Sequence, residues 1–173
     1  MPITPDNRDA IMILRGEHRQ IEALFRRCAK QLGGEQPVAE LRALAEQALD
    51  ALALHAEVEE ELFYPAMRQA LGERSPLVVQ YVEEHRVMRT LMADLRASEK
   101  VDDLFNARLV VLMELIRHHI RDEEEYLFPP CREVCGRRLM REIGGAMMDF
   151  RKRLERRVPV QPATALDARL ADF

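Results

Sequence analysis

Tryptophan is absent from the 173-residue chain, aromatic residues amount to 5%, and glycine occurs only seven times. What remains is dominated by Ala, Leu, Glu, Arg and Met, the strong helix formers, and an all-α protein is expected. Cysteine is also rare: three thiols, an odd number with no C-x-x-C spacing, make no disulfide framework and fit a reducing compartment. No run approaches the ~18 apolar residues of a membrane span. Met1 to Arg15 also lacks the basic-then-apolar order of a secretory signal. The expectation is a soluble, cytoplasmic protein with no membrane partner. The formal net charge is only −4, and acids and bases are interspersed except near the end. No global attraction to nucleic acid follows, and no nucleic-acid partner is expected. The chain is long enough for one domain with a proper core and too short for two comfortable ones.

What is present is a repeat. His55–Pro65 and His119–Pro129 share one pattern: a His, a Glu four residues on, a triple-Glu run, an apolar or aromatic trio, and a Pro ten residues after the His. Upstream of each, Glu17-His18-Arg19 and Glu84-His85-Arg86 open matching apolar stretches at nearly the same offset. The chain is a duplicated half-unit.

Each half reads as two helices. Thr4-Pro5-Asp6 looks like a helix start, and Ile11, Leu14, His18, Ile21, Phe25, Cys28 and Leu32 then recur at spacings of three and four up to a Gly33-Gly34 stop. A second helix from Pro37 carries Leu41, Leu44, Ala48, Leu52, His55, Glu59 and Leu62, ends or kinks about Pro65, and stops by Gly72. Ser75-Pro76 caps a third, with Val78, Tyr81, His85, Met88, Met92 and Leu95. After a turn at Ser98 to Val101, a fourth shows Phe105, Leu109, Leu112, Ile116, His119 and Glu123, with Pro129-Pro130 as its expected break. Short connections between long helices predict an antiparallel up-down-up-down four-helix bundle. An extra C-terminal helix, Arg137 to Arg157, places Met140, Ile143, Met147, Phe150 and Leu154 on one face and many Arg on the other, with Gly144-Gly145 weakening or bending it. One domain over residues 1–157 and a tail over 158–173 are expected.

The seams carry chemistry. A His and a Glu four residues apart share one helix face, so His55 with Glu59 and His119 with Glu123 reach the same depth as the single His18 and His85. Four imidazoles and two carboxylates turned inward without a partner would cost several kcal/mol. No Lys or Arg stands in those seams at this level, so the compensating charge is read as a pair of metal ions. In that arrangement His18 and His55 hold one ion, His85 and His119 hold the other, and Glu59 and Glu123 bridge them. Imidazole and carboxylate without thiolate favour iron or manganese, with zinc allowed. Incomplete coordination leaves room for dioxygen, nitric oxide or peroxide.

The two His-x-x-x-Glu-Glu segments ending in an aromatic-Pro step, each preceded by a Glu-His element on the previous helix, resemble the hemerythrin-like HHE cation-binding family over roughly residues 8–130. The resemblance implies a four-helix bundle with two non-haem iron ions. By motif position the implied metal ligands are His18, His55, Glu59, His85, His119 and Glu123. One place departs: oxygen-carrying members have a second His one turn after the third-helix His, and here it is Arg89. Four His and two Glu resemble more the iron-sensing and iron-centre-repair relatives, which argues against simple oxygen transport.

Plainer readings accompany these. His118 lies off the seam and has its own competing partner, Asp122. Glu17, Glu60, Glu61, Glu84, Glu124 and Glu125 are read as a solvated face or helix-stabilising charge, Tyr81 as a core tyrosine within reach of the site, and Cys131 with Cys135 as a chance pair. The Arg-rich last helix offers a face for a second subunit or an acidic protein partner. Three functions compete: a di-iron protein that binds or senses a diatomic ligand or iron, a di-iron redox enzyme consuming peroxide or repairing iron centres, and a structural bundle held by its metal. None of the five His has a Glu three residues before it, unlike ferritin-like oxidases, which counts against the enzyme.

Overall fold

The computed structural model describes residues 9–32, 38–72 and 76–157. Asp9 is the N-cap of α1 (Ala10–Gln31), its carboxylate accepting from the amides of Ile11 and Met12. The expected start at Thr4-Pro5-Asp6 lies outside the described residues, as do Gly33-Gly34, Pro37, Ser75 and the tail. Next come α2 (Val38–Val58), a π-helical turn π1 (Glu59–Phe63), α3 (Tyr64–Leu71), α4 (Pro76–Ala97), α5 (Asp103–Asp122), a second π turn π2 (Glu123–Leu127) and α6 (Phe128–Arg157). No strand occurs among the described residues. Neighbours in sequence pack as neighbours in space, α1 on α2 and α4 on α5, and α1–α5 and α2–α4 contacts close the ring. This is the four-helix bundle the periodicity predicts, with α6 laid against α1, α2 and α3. None of these helices is long and apolar enough to cross a membrane.

The seams bury as read, except that Leu32 at the end of α1 is only half-buried and the second seam shifts its register. On α4 the buried residues are Val78, Tyr81, His85, Met88, Met92 and Leu95, all six of the expected set. After Glu59 the second seam departs from expectation: Leu62 is only half-buried, while Phe63 and Tyr64 are fully enclosed. The cause is π1. Pro65 has no N–H, and its ring would collide with the carbonyl of Glu61 in a regular helix. The turn therefore widens, the Tyr64 amide bonding to the carbonyl of Glu59 five residues back. One extra residue in the turn rotates everything after it by a position. The second copy repeats this before Pro129, where the Phe128 amide bonds to Glu123, Leu127 and Phe128 are buried, and Tyr126 faces out.

Widening also corrects the expected break at Pro129-Pro130. The helix runs through both prolines and instead kinks at Gly136, whose φ of 64° and ψ of 175° suit glycine alone. Gly144-Gly145, expected to bend the last helix, lies within continuous helix. Met140, Ile143 and Met147 are buried there, and Phe150 and Leu154 are half-buried.

The core has two apolar parts. One gathers Phe25, Leu49, Met92, Leu109 and Ile116. The other gathers Leu14, Phe63, Tyr81, Phe128 and Met140. His18, His55, His85 and His119 lie between them along their helices, so a polar layer is closed off from solvent on both sides.

Candidate metal centre

All six seam donors come together in that layer. His18, His55, His85 and His119 are 1% exposed, and Glu59 and Glu123 are wholly enclosed. The Nε2 of His18 lies 3.3 Å from Glu123 Oε2, and that of His55 lies 3.2 Å from Glu59 Oε2. Across the layer, His85 Nε2 is 3.5 Å from Glu59 Oε2 and His119 Nε2 is 3.6 Å from Glu123 Oε2. Each carboxylate therefore reaches one His on either side. The donors form two sets, His18, His55, Glu59 and Glu123 in one and Glu59, His85 and His119 in the other, each with its ligand atoms within 4.8 Å of one another. A shell of ligands ~2.1 Å from a metal spans about that much.

Every imidazole is oriented from behind by a second carboxylate. Nδ1–H of His18 donates to Glu124 (2.9 Å), that of His55 to Glu17 (3.0 Å), that of His85 to Glu60 (2.9 Å) and that of His119 to Glu84 (2.8 Å). A third layer holds these carboxylates in turn: Arg15 beside Glu124, Arg151 on Glu17, Arg89 on Glu60 and Gln80 on Glu84. This corrects the reading of Glu17, Glu60, Glu84 and Glu124 as a solvated face. The signal was available in part: the Glu-His dipeptide recurs in both halves because each Glu serves the His of the neighbouring helix, not the His beside it.

Those bonds fix the tautomers and test whether the site suits a cation. With Nδ1 protonated, a neutral imidazole presents a bare lone pair at Nε2. The Nε2 atoms of His85 and His119 face each other at 3.0 Å. As lone pairs they repel; a cation between them turns the repulsion into two bonds. His18 Nε2, His55 Nε2, Glu59 Oε1 and Glu123 Oε2 are buried with no hydrogen-bond partner among the described residues. Buried polar atoms are seldom left so, and a metal ion satisfies all of them together.

Electrostatics favour the neutral ring at His55 and His85 but not at His18. Burial lowers the His55 imidazole to about 4 despite Glu17, keeping it neutral. Burial lowers His85 too, against the pull of Glu60. For His18 burial works against charge, but Glu123 and Glu124 outweigh it and raise the ring. Burial, then the charges of Glu123 and Glu17, holds the Glu59 carboxyl well above its ordinary range. Glu123 goes the other way: burial disfavours its charge, but His119, His18 and His55 keep it ionised. Two enclosed carboxylates cannot both ionise cheaply without a cation.

A residue missed by the sequence reading completes the layer. The Tyr64 hydroxyl donates to Glu123 Oε1 at 2.7 Å and lies 3.4 Å from both Glu59 Oε2 and His85 Nε2. Burial first, and then both carboxylates, raises this phenol well above its usual range. Its counterpart in the second half is Phe128, stacked on the His18 ring at 5.7 Å. Tyr81, the tyrosine the sequence singled out, instead sets its ring edge-on to His119, and its hydroxyl has no hydrogen-bond partner among the described residues. His118 is half exposed, bonded to Arg121 and 3.3 Å from Asp122, away from the layer. Cys131 is buried and its thiol pushed up to about 12 by burial.

Comparison with known proteins agrees with this picture. The solved structure of a hemerythrin HHE cation binding domain-containing protein of Mycobacterium kansasii superposes with a TM-score of 0.70, covering 88% of this chain and 94% of that one at 22% identity. A DNA nickase of Nostoc sp. is 28% identical over 120 residues, which are 69% of this chain; the chain spans about a third of that relative, 32% of its length. The hemerythrin HHE cation binding domain model matches residues 9–131, a stretch that holds both half-units and all six inward donors. Family and side-chain clusters together indicate a metal-binding site, and the chain belongs to the hemerythrin HHE cation-binding family.

Proposed function

We propose that the chain is a non-haem di-iron protein whose carboxylate-bridged centre binds or senses a small diatomic ligand, dioxygen or nitric oxide, or iron itself. The observation that carries this reading is the pair of facing Nε2 atoms of His85 and His119, each with its Nδ1 committed to a carboxylate. His18 and His55 hold one ion in this reading, His85 and His119 the other, and Glu59 and Glu123 span both. A donor set of imidazole and carboxylate without thiolate suits iron. Iron so held would supply redox-active binding of the small ligand. The protein's part is to exclude water, fix each imidazole through its outer carboxylate, and place the Tyr64 proton beside Glu123. The likeness to a DNA nickase is limited to about a third of that protein and brings no strand cleavage to this reading.

Protein reconstituted with ferrous iron in air is expected to hold two irons per chain and to show near-ultraviolet charge-transfer bands that shift with azide or nitric oxide. A single tightly held zinc, with no spectral response to either ligand, would overturn it.

A further inference from the structure

We propose that α6 is a working part of the centre, with Arg151 as a positioning residue that holds His55, and through it one of the two metal positions, in place. The inference rests on the dinuclear reading above. Arg151 lies well beyond residue 131, where the family match ends, yet its guanidinium NH1 meets Glu17 Oε1. The other oxygen of the same carboxylate, Oε2, accepts from His55 Nδ1 at 3.0 Å. A three-residue chain thus runs from the C-terminal helix to a ligand, across a separation in sequence of 134 residues. Of the four carboxylates behind the imidazoles, Glu17 is the most enclosed, with a side chain 8% exposed against 21% for Glu84, 23% for Glu60 and 31% for Glu124. Water is least able to replace a lost partner there, so the guanidinium matters most at this one.

Other features of α6 fit the same role. Beyond the Gly136 kink, Met140, Ile143 and Met147 pack the helix into the apolar part of the core that holds Leu14 and Phe63, and α6 lies against α1. Its neighbours in the bundle are α1, α2 and α3, the helices of the first half-unit. A carboxylate that loses Arg151 keeps one oxygen buried and unpaired, and turns to relieve it. His55 then loses its anionic acceptor, and the basicity and aim of its Nε2 fall with it. The effect belongs to the position that His55 shares with His18 and leaves His85 and His119 as they are.

The test is release of iron from the loaded full-length protein to a chelator, followed by the near-ultraviolet bands and by metal analysis. Arg151→Gln is expected to keep two irons per chain but split their release, one ion leaving about tenfold to a hundredfold faster than in the parent and the other unchanged. Arg151→Lys, which restores a cation, is expected to recover much of the difference. Arg132→Gln serves as the packing control: it breaks an ion pair from α6 to Asp9, the N-cap of α1, without touching Glu17, and is expected to leave both release rates as they were. Equal release in Arg151→Gln and the parent would overturn the inference, as would equal acceleration of both ions or the same acceleration in Arg132→Gln. Parent protein that never holds two ions would instead overturn the dinuclear reading, and the inference with it.

Discussion

At the scale of single residues, the centre turns on which of two adjacent histidines faces inward. His119 is enclosed and points its Nε2 at His85 and Glu123, whereas His118 sits on the surface with Arg121 and Asp122. We predict that His118→Ala retains the full metal content on elemental analysis, while His119→Ala loses half or more; equal losses would place the site elsewhere. This choice was legible in the sequence because the helical period and the two prolines fix the register. The outer carboxylates were not, because Glu17 and Glu84 act across helices and no spacing along one helix reveals a partner on the next. Tyr64 stayed hidden for a different reason: it lies beyond a wide turn, so the regular period assigned the buried place to Leu62 instead.

Among elements, the two π turns and the Gly136 kink decide the course of the helix beyond them. The α4 seam was readable residue by residue, and every residue expected in the α5 seam is buried, with Met113 and Ile120 buried beside them, since nothing interrupts their period before Glu123. The path after Pro129 was not, because a proline reads as a stop unless the preceding turn is known to widen. Gly136 is the element-scale joint, and a Cβ built there meets nothing within 4 Å, so any penalty is conformational rather than steric. Gly136→Ala is predicted to lower the unfolding free energy by ~1–3 kcal/mol, the cost of holding a side-chain-bearing residue in glycine's region. Chemical denaturation with an unchanged dependence on denaturant checks this; an unchanged midpoint would mean the chain at the kink relaxes at no cost.

For the molecule as a whole, the polar layer is both binding site and weak plane. It separates the two apolar parts of the core, and without a cation its bare nitrogens and enclosed carboxylates oppose folding. Ligands that bind only the folded state stabilise it by mass action, about 3 kcal/mol for each ion at a hundred times its dissociation constant. Stripping the two ions of the proposed centre should therefore lower the melting temperature by roughly 10–20 °C for a chain of this size. Calorimetry before and after chelation, with recovery on adding ferrous iron, measures it, and a melting temperature indifferent to metal would mean the bundle stands without it.

The contacts across this plane obey a two-fold relation: Glu17 serves His55 as Glu84 serves His119, and Glu124 serves His18 as Glu60 serves His85. Tyr64 opposite Phe128 breaks it. A perfectly symmetric centre has two interchangeable ends and gives an incoming molecule no reason to prefer either. One hydroxyl on one side gives the layer a polarity, and under the proposed function a two-atom ligand with unlike ends, such as nitric oxide, would be told by it which way round to sit.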